Sequence, residues 1–234
     1  MVTSTPRPLP SPAEMANDEI RDKYFADKRL EFEMGCAANH PGACFSLGEW
    51  WQLFGKDSAK ARELFEENCE KRQHANSCFN LALMYGRGDV TKDKELASSK
   101  SFNYANMACT GKNAQACAHV GQLKLFGHGC EKNVDEAIEN FDFACDSNDS
   151  VACYRLGRLY LDGHKKHGVP RDPKKCLDHM TKSCHLGNPN GCQVVAVMYK
   201  KGDGIPQDDK KFEFYKTRTK DIVKQTGEPM GRNV

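Results

Sequence analysis

The chain has no apolar stretch long enough to cross a membrane. The longest, Val194-Val195-Ala196-Val197-Met198-Tyr199, has six residues, where a membrane helix needs about 18, so no membrane insertion is expected. Excess charge is missing too. The 34 lysines and arginines are mixed along the chain with 32 aspartates and glutamates, leaving +2. Without a basic stripe, nucleic acid is not an expected partner. The first residues, MVTSTPRPLPSPAEM, lack the apolar centre of a secretory signal. They hold one basic residue, Arg7, and four prolines, which oppose the amphipathic helix of a mitochondrial presequence. Residues 1–11 are expected to be a disordered tail, ending where Ser11-Pro12-Ala13-Glu14 offers a cap with proline at the first helical position.

Several chemical signatures are absent. No two cysteines stand two to four residues apart, as in structural zinc sites, and no C-x-x-C or C-x-x-C-H occurs. A serine β-lactamase needs Ser-x-x-Lys with K-T-G and S-D-N elements; "SSKS" and "CTGK" have the wrong order or spacing. What is present is a globular balance of 39% hydrophobic and 28% charged residues, which predicts a packed, soluble protein. Cysteine is abundant, with twelve copies and no visible export signal. Disulfides require an oxidising compartment, so the cysteines and the leader make opposite demands.

The cysteines mark a repeat. Aligned on Cys44, Cys78, Cys117, Cys153 and Cys192, the sequence reads "CFSLGEWW", "CFNLALMY", "CAHVGQLK", "CYRLGRLY" and "CQVVAVMY". Three positions on come Leu47, Leu81, Val120, Leu156 and Val195. Next come the small residues Gly48, Ala82, Gly121, Gly157 and Ala196, which let a neighbouring helix approach. Seven on come Trp51, Tyr85, Tyr160 and Tyr199, with Lys124 the exception. Offsets of 3, 4 and 7 trace one face of a helix. A glycine break follows ("YGRGD", "FGHGC", "LDGHKKHG", "KKGDG"), then a second helical segment with small Ala61, Ser101, Ala137 or Cys176 eight residues before its closing cysteine. Four before that cysteine stand Phe65, Phe141 and Met180, while the second repeat has Ala105 beside Tyr104. The aligned cysteines are 34, 39, 36 and 39 residues apart, a helix-turn-helix period that denotes a solenoid. Leucine and tyrosine at helical spacing also suit an ordinary bundle, but the joint recurrence of four residue types favours the array. The expected fold is all-α, an α/α solenoid of about five repeats. A capping helix over 12–38, the repeat array over 39–225 and a C-terminal tail over 226–234 are expected.

The remaining cysteines bracket the turns between repeats: Cys36/Cys44, Cys69/Cys78, Cys109/Cys117, Cys145/Cys153 and Cys184/Cys192. In an unbroken helix, eight residues separate Cα atoms by about 12 Å, whereas a disulfide spans about 4.4–6.8 Å. The intervening "NHPGA", "QHANS", "TGKNAQ", "SNDS" and "LGNPNG" are chain-reversing. A thiol on the last turn of one helix then faces a thiol on the first turn of the next, and five structural disulfides are expected. Cys130 and Cys176 are left over as thiols. Cys176, at a small core position, is expected to be buried; Cys130, in "FGHGCEK", is a reactive thiol or a partner for Cys176. His164 and His167 share a loop, where solvation is weighed against binding metal or haem.

The "LGxxY", "GxG" and "A…F..AC" elements resemble the Sel1-like repeat family, and the brackets resemble its Hcp-like, cysteine-rich branch. "FEENCEKRQHANSCFNLALMY" and "MYKKGDG" look like segments of the animal cytochrome c oxidase assembly factor 7 family. The proline-rich leader departs from that pattern. The resemblance implies a non-enzymatic scaffold of the mitochondrial intermembrane space that aids assembly of respiratory-chain complexes, chiefly cytochrome c oxidase. Its partners would be respiratory-complex subunits or other assembly factors. Proteins of that space can arrive without a presequence and be trapped by oxidation of paired cysteines, which reconciles leader and cysteines. No catalytic residue, metal or cofactor is expected. The alternatives are thiol–disulfide exchange or haem or copper handling through Cys130, a labile bracket or the loop histidines, and a β-lactamase-like hydrolase. Alkylation with intact-mass measurement is expected to count two thiols in the native protein and all twelve after reduction; twelve before reduction would remove the brackets.

Overall fold

The computed structural model describes residues 11–161, 163 and 168–226. The fold is all-α, an α/α solenoid, with twelve helices and no strand among the described residues. The chain divides into two compact units, Met1–Ser77 and Cys78–Val234.

In the first unit, Ser11 and Glu14 form a capping box on the short α1 (Pro12–Met15). The chain breaks at Ala16 and restarts because the Asn17 side chain accepts from the Glu19 and Ile20 amides, opening α2 (Asp18–Ala37). No residue of α2 is fully buried. It meets the next helix, α3 (Pro41–Leu53), through Phe25 on Phe54, ring centroids 4.4 Å apart, and Arg29 over Trp50. α3 packs on α4 (Ser58–Arg72) by size matching: Gly48 faces the fully buried Phe65 ring, and a Cβ at Gly48 would lie 2.4 Å from it. Asn68, buried at the end of α4, donates to the Pro41 carbonyl and to Ser77 Oγ, tying the end of the hairpin to its start.

The second unit holds most of α5 (Ala75–Gly86), then α6 (Lys94–Thr110), α7 (Ala114–Phe126), α8 (Val134–Asp146), α9 (Ser150–Leu161), α10 (Pro173–His185), α11 (Pro189–Lys201) and α12 (Asp209–Thr226). The size matching recurs. Gly121 faces Phe141 and Gly157 faces Met180, while in the second hairpin Ala82 and Ala105 are both small and buried, and Ser101 Oγ donates to the Ala82 carbonyl. A contiguous core includes Cys117, Phe141, Leu156, Tyr160, Met180 and Val195, and Ile222 of α12 packs with Cys184 and Cys192 in a separate, smaller cluster. Ser183 repeats the Asn68 device by donating to the Ser150 carbonyl. The glycine breaks seat one repeat on the one before. A Cβ at Gly129 would meet the Ser98 carbonyl at 2.1 Å, and one at Gly204 would meet Pro173 at 2.3 Å.

The Lys124 exception has a partner. In three hairpins the aromatic ending the first helix is covered by a lysine of its own hairpin: Lys60 over Trp51 at 4.2 Å, Lys175 over Tyr160 at 5.1 Å and Lys211 over Tyr199 at 4.8 Å; in the second, Tyr85 stacks on Tyr104 instead. In the third hairpin the aromatic place holds Lys124 and the lysine place holds Glu136, and the two form an ion pair. Both sides have changed together, so a cation–π contact gives way to a salt bridge.

Each inter-repeat turn leaves two or three residues between helices and ends on a pair with fixed roles. The first of the pair is left-handed: Asn39 (φ 60°), Gln73 (53°), Lys112 (61°), Asn148 (66°) and Gly187 (89°). The second precedes the next helix and caps it through its side chain at four junctions, His40 making no such bond. Asn113, Asp149 and Asn188 accept backbone N–H groups through side-chain oxygens, and His74 does so through Nδ1. The amide of the second residue donates back across the helix end, as in His40 to the Gly35 carbonyl, Asn113 to Ala108 and Asp149 to Ala144, which is the Schellman closure.

Gly48→Ala and Gly157→Ala separate stiffness from size. Each gains roughly 1 kcal/mol of helix propensity. The rigid Phe65 ring cannot yield, so Gly48→Ala is expected to lose about 1–2 kcal/mol net from overpacking. The Met180 thioether can repack, so Gly157→Ala is expected to be near neutral. Thermal denaturation of the two variants measures the difference, and equal losses would show that ring stiffness does not decide it.

Candidate functional site

The short reversal brings the bracket cysteines together. Cα separations are 4.5 Å for Cys36–Cys44, 4.6 Å for Cys109–Cys117, 4.7 Å for Cys145–Cys153 and 4.6 Å for Cys184–Cys192, all disulfide-bonded. Cys69 and Cys78 are disulfide-bonded as well. Sulfur is largely withdrawn from solvent: Cys44, Cys69, Cys78, Cys117, Cys145, Cys153, Cys184 and Cys192 are buried. The disulfides thus form part of the core.

Cys130 and Cys176 lie outside these bonds, and the alternative pairing of one with the other is not made. Cys176 is fully buried, its sulfur 3.7 Å from the Met198 thioether. Cys130 is half-buried. Burial pushes its thiol above the ordinary value, partly offset by Lys124, the opposite of the low pKa that activates an exchanging cysteine. The nearby His128 stacks on Phe126. His164 and His167 lie outside the described residues. Among the described residues no three His, Cys, Asp or Glu side chains converge as a metal site, and no helix is long and apolar enough to cross a membrane.

The first helices of the repeats also present side chains outside the buried stripe, at one, two, five, eight and nine positions after the aligned cysteine. Between α9 and α11 these line a groove of about 360 Å³ that includes Tyr154, Arg158, Leu161, Val194, Val197 and Lys201. Also on α9, Arg155 is half-buried. Desolvation lowers its pKa and Asp149 partly compensates. Burial, with Arg155 adding to it, pushes the His119 imidazole below its usual value, and its Nε2 is buried without a hydrogen-bond partner. Sequence reasoning did not single these residues out. The signal was their offset from the core positions, but their chemistry changes from repeat to repeat.

The brackets differ in what surrounds them, so their removal should differ too. Converting Cys36 and Cys44 to alanine is expected to expose α2, which buries no residue, to limited proteolysis while leaving the rest protected. Converting Cys145 and Cys153 is expected to lower unfolding stability by about 2–3 kcal/mol, read as a shift in the urea midpoint. Identical proteolysis patterns would show that α2 does not depend on its bond.

Comparison with known proteins agrees with this architecture. The model of the Sel1 repeat matches residues 41–71, 75–113, 114–149, 150–188 and 190–211, each match opening at or next to the start of α3, α5, α7, α9 or α11. Over 214 residues the chain is 30% identical to cytochrome c oxidase assembly factor 7A of Xenopus laevis, covering 90% of this chain and 92% of the other. Over 215 residues it is 30% identical to cytochrome c oxidase assembly factor 7 of Danio rerio, covering 90% and 93%. A Sel1 repeat protein from Oxalobacter formigenes shares the fold, with a TM-score of 0.70 over 90% of each chain at 18% identity. With five matched repeats and near full-length relatives, the chain belongs to the Sel1 repeat family.

Proposed function

We propose that this chain is a non-enzymatic scaffold that acts in the assembly of cytochrome c oxidase within the mitochondrial intermembrane space. The observation that carries the reading is similarity across nine-tenths of the chain to proteins named as cytochrome c oxidase assembly factors. Two observations support the compartment: a core built on oxidised cysteines needs an oxidising environment, and the relatives' names point to the mitochondrion. Scaffolding follows from the repeats, whose first helices expose side chains that vary while the core positions recur. Subunits of the respiratory complexes or other assembly factors are the partners this implies. The raised thiol of Cys130 speaks against disulfide exchange as its work.

Cells from which the chain has been deleted are expected to show reduced assembled cytochrome c oxidase on native gels, restored by the wild-type chain. In fractionated mitochondria the protein is expected to resist added protease until the outer membrane is ruptured. Unchanged oxidase in the deleted cells would overturn the reading, and protection that persists after rupture would overturn the compartment.

A further inference from the structure

The α9–α11 groove has the chemistry of a docking site whose occupant can be specified. Its apolar part is Tyr154, Leu161, Val194 and Val197, with Val197 exposed at 41%. Its charged part is uneven. Arg158 and Lys201 line it and Arg155 stands one helical turn from Arg158, about 4.5 Å along α9. Among the described residues, the acidic group lining the groove and the one nearest Arg155 are already engaged. Asp203 is held in an ion pair by Arg171, and the Asp149 carboxylate accepts the Val151 and Ala152 amides as the cap of α9. Among the described residues no ion pair involves Arg155, Arg158 or Lys201. A second hollow, on α12, differs: Lys210 and Arg218 are matched there by Glu213 and Asp221, so it selects no sign of charge.

We infer that the groove between α9 and α11 docks a segment of a partner protein that carries acidic side chains interleaved with aliphatic or aromatic ones. The two lining cations stand on different helices, Arg158 on α9 and Lys201 on α11. Cations on both walls suit a segment bearing more than one carboxylate side chain. The apolar wall supplies area, and the guanidinium groups, rigid and donor-rich, supply direction through charge-assisted hydrogen bonds. The surface is the one on which the scaffold reading rests, and the inference adds the class of partner to it.

The test is panning of phage-displayed random dodecapeptides on the full, oxidised chain, with selected sequences resynthesised as acetylated amides. Enriched peptides are expected to combine Asp or Glu with neighbouring apolar residues and to weaken as salt rises. Arg158→Glu with Lys201→Glu is expected to weaken binding by about tenfold or more, while Arg158→Lys keeps most of it. Circular dichroism and the count of two thiols establish that the variants are folded. No enrichment, peptides without acidic residues, binding lost on amidation of the C-terminus, or equal affinity for the charge-reversed variant would each overturn the inference. Panning does not involve oxidase assembly, so its failure removes the groove's occupant and leaves the scaffold reading to its own test.

Discussion

A helix that must turn back within two or three residues needs one residue in the left-handed region and another that caps the helix to come. The left-handed residue is present at all five junctions and a side-chain cap bond at four, His40 making none, and this pairing governs the rest. It places the last turn of one helix beside the first turn of the next, and the Cα atoms of the flanking cysteines fall within disulfide range. The bonds then fix the junction against fraying, which is the weak point of a structure whose repeats touch only their neighbours. Asn39, Asn148 and Gly187 suit the left-handed place, and Gln73 and Lys112 occupy it against their preference. Tertiary closure holds them there.

Within each hairpin the packing is a trade of volume. Glycine on the first helix admits phenylalanine or methionine on the second; in the second hairpin, Ala82 on the first goes with Ala105 on the second. The ledger of polar contacts works the same way. Where the hairpin's end has room for Asn68 or Ser183, a hydrogen bond returns to the start of the first helix; where Ala108 or Ala144 stands, burial alone serves. Each hairpin reaches the same geometry by a slightly different route.

Much of this was legible in the residues. The brackets, the stripe of aliphatic, small and aromatic positions, and the hairpin order all follow from periodicities that repeat, and repetition separates signal from accident. Three features were not legible. Lys124 registers as a departure from the aromatic rule until Glu136 is seen opposite it, because the compensation comes from another helix. The restart at Asn17 hides in a polar stretch that continues to look helical. The α9–α11 groove uses positions freed from the core, where sequence carries no recurring mark, and only the alignment of neighbouring helices shows that Arg158 and Lys201 share one surface.

The four bonds described in full each join residues eight apart. None waits for a distant segment, so a bracket can close as soon as its own short stretch is available. A chain passing end-first through a narrow translocation pore could therefore be locked stepwise on the far side, hairpin after hairpin, each closure hindering backsliding. The same locality leaves few wrong partners within reach at any moment, so correct pairing makes little demand on an isomerase.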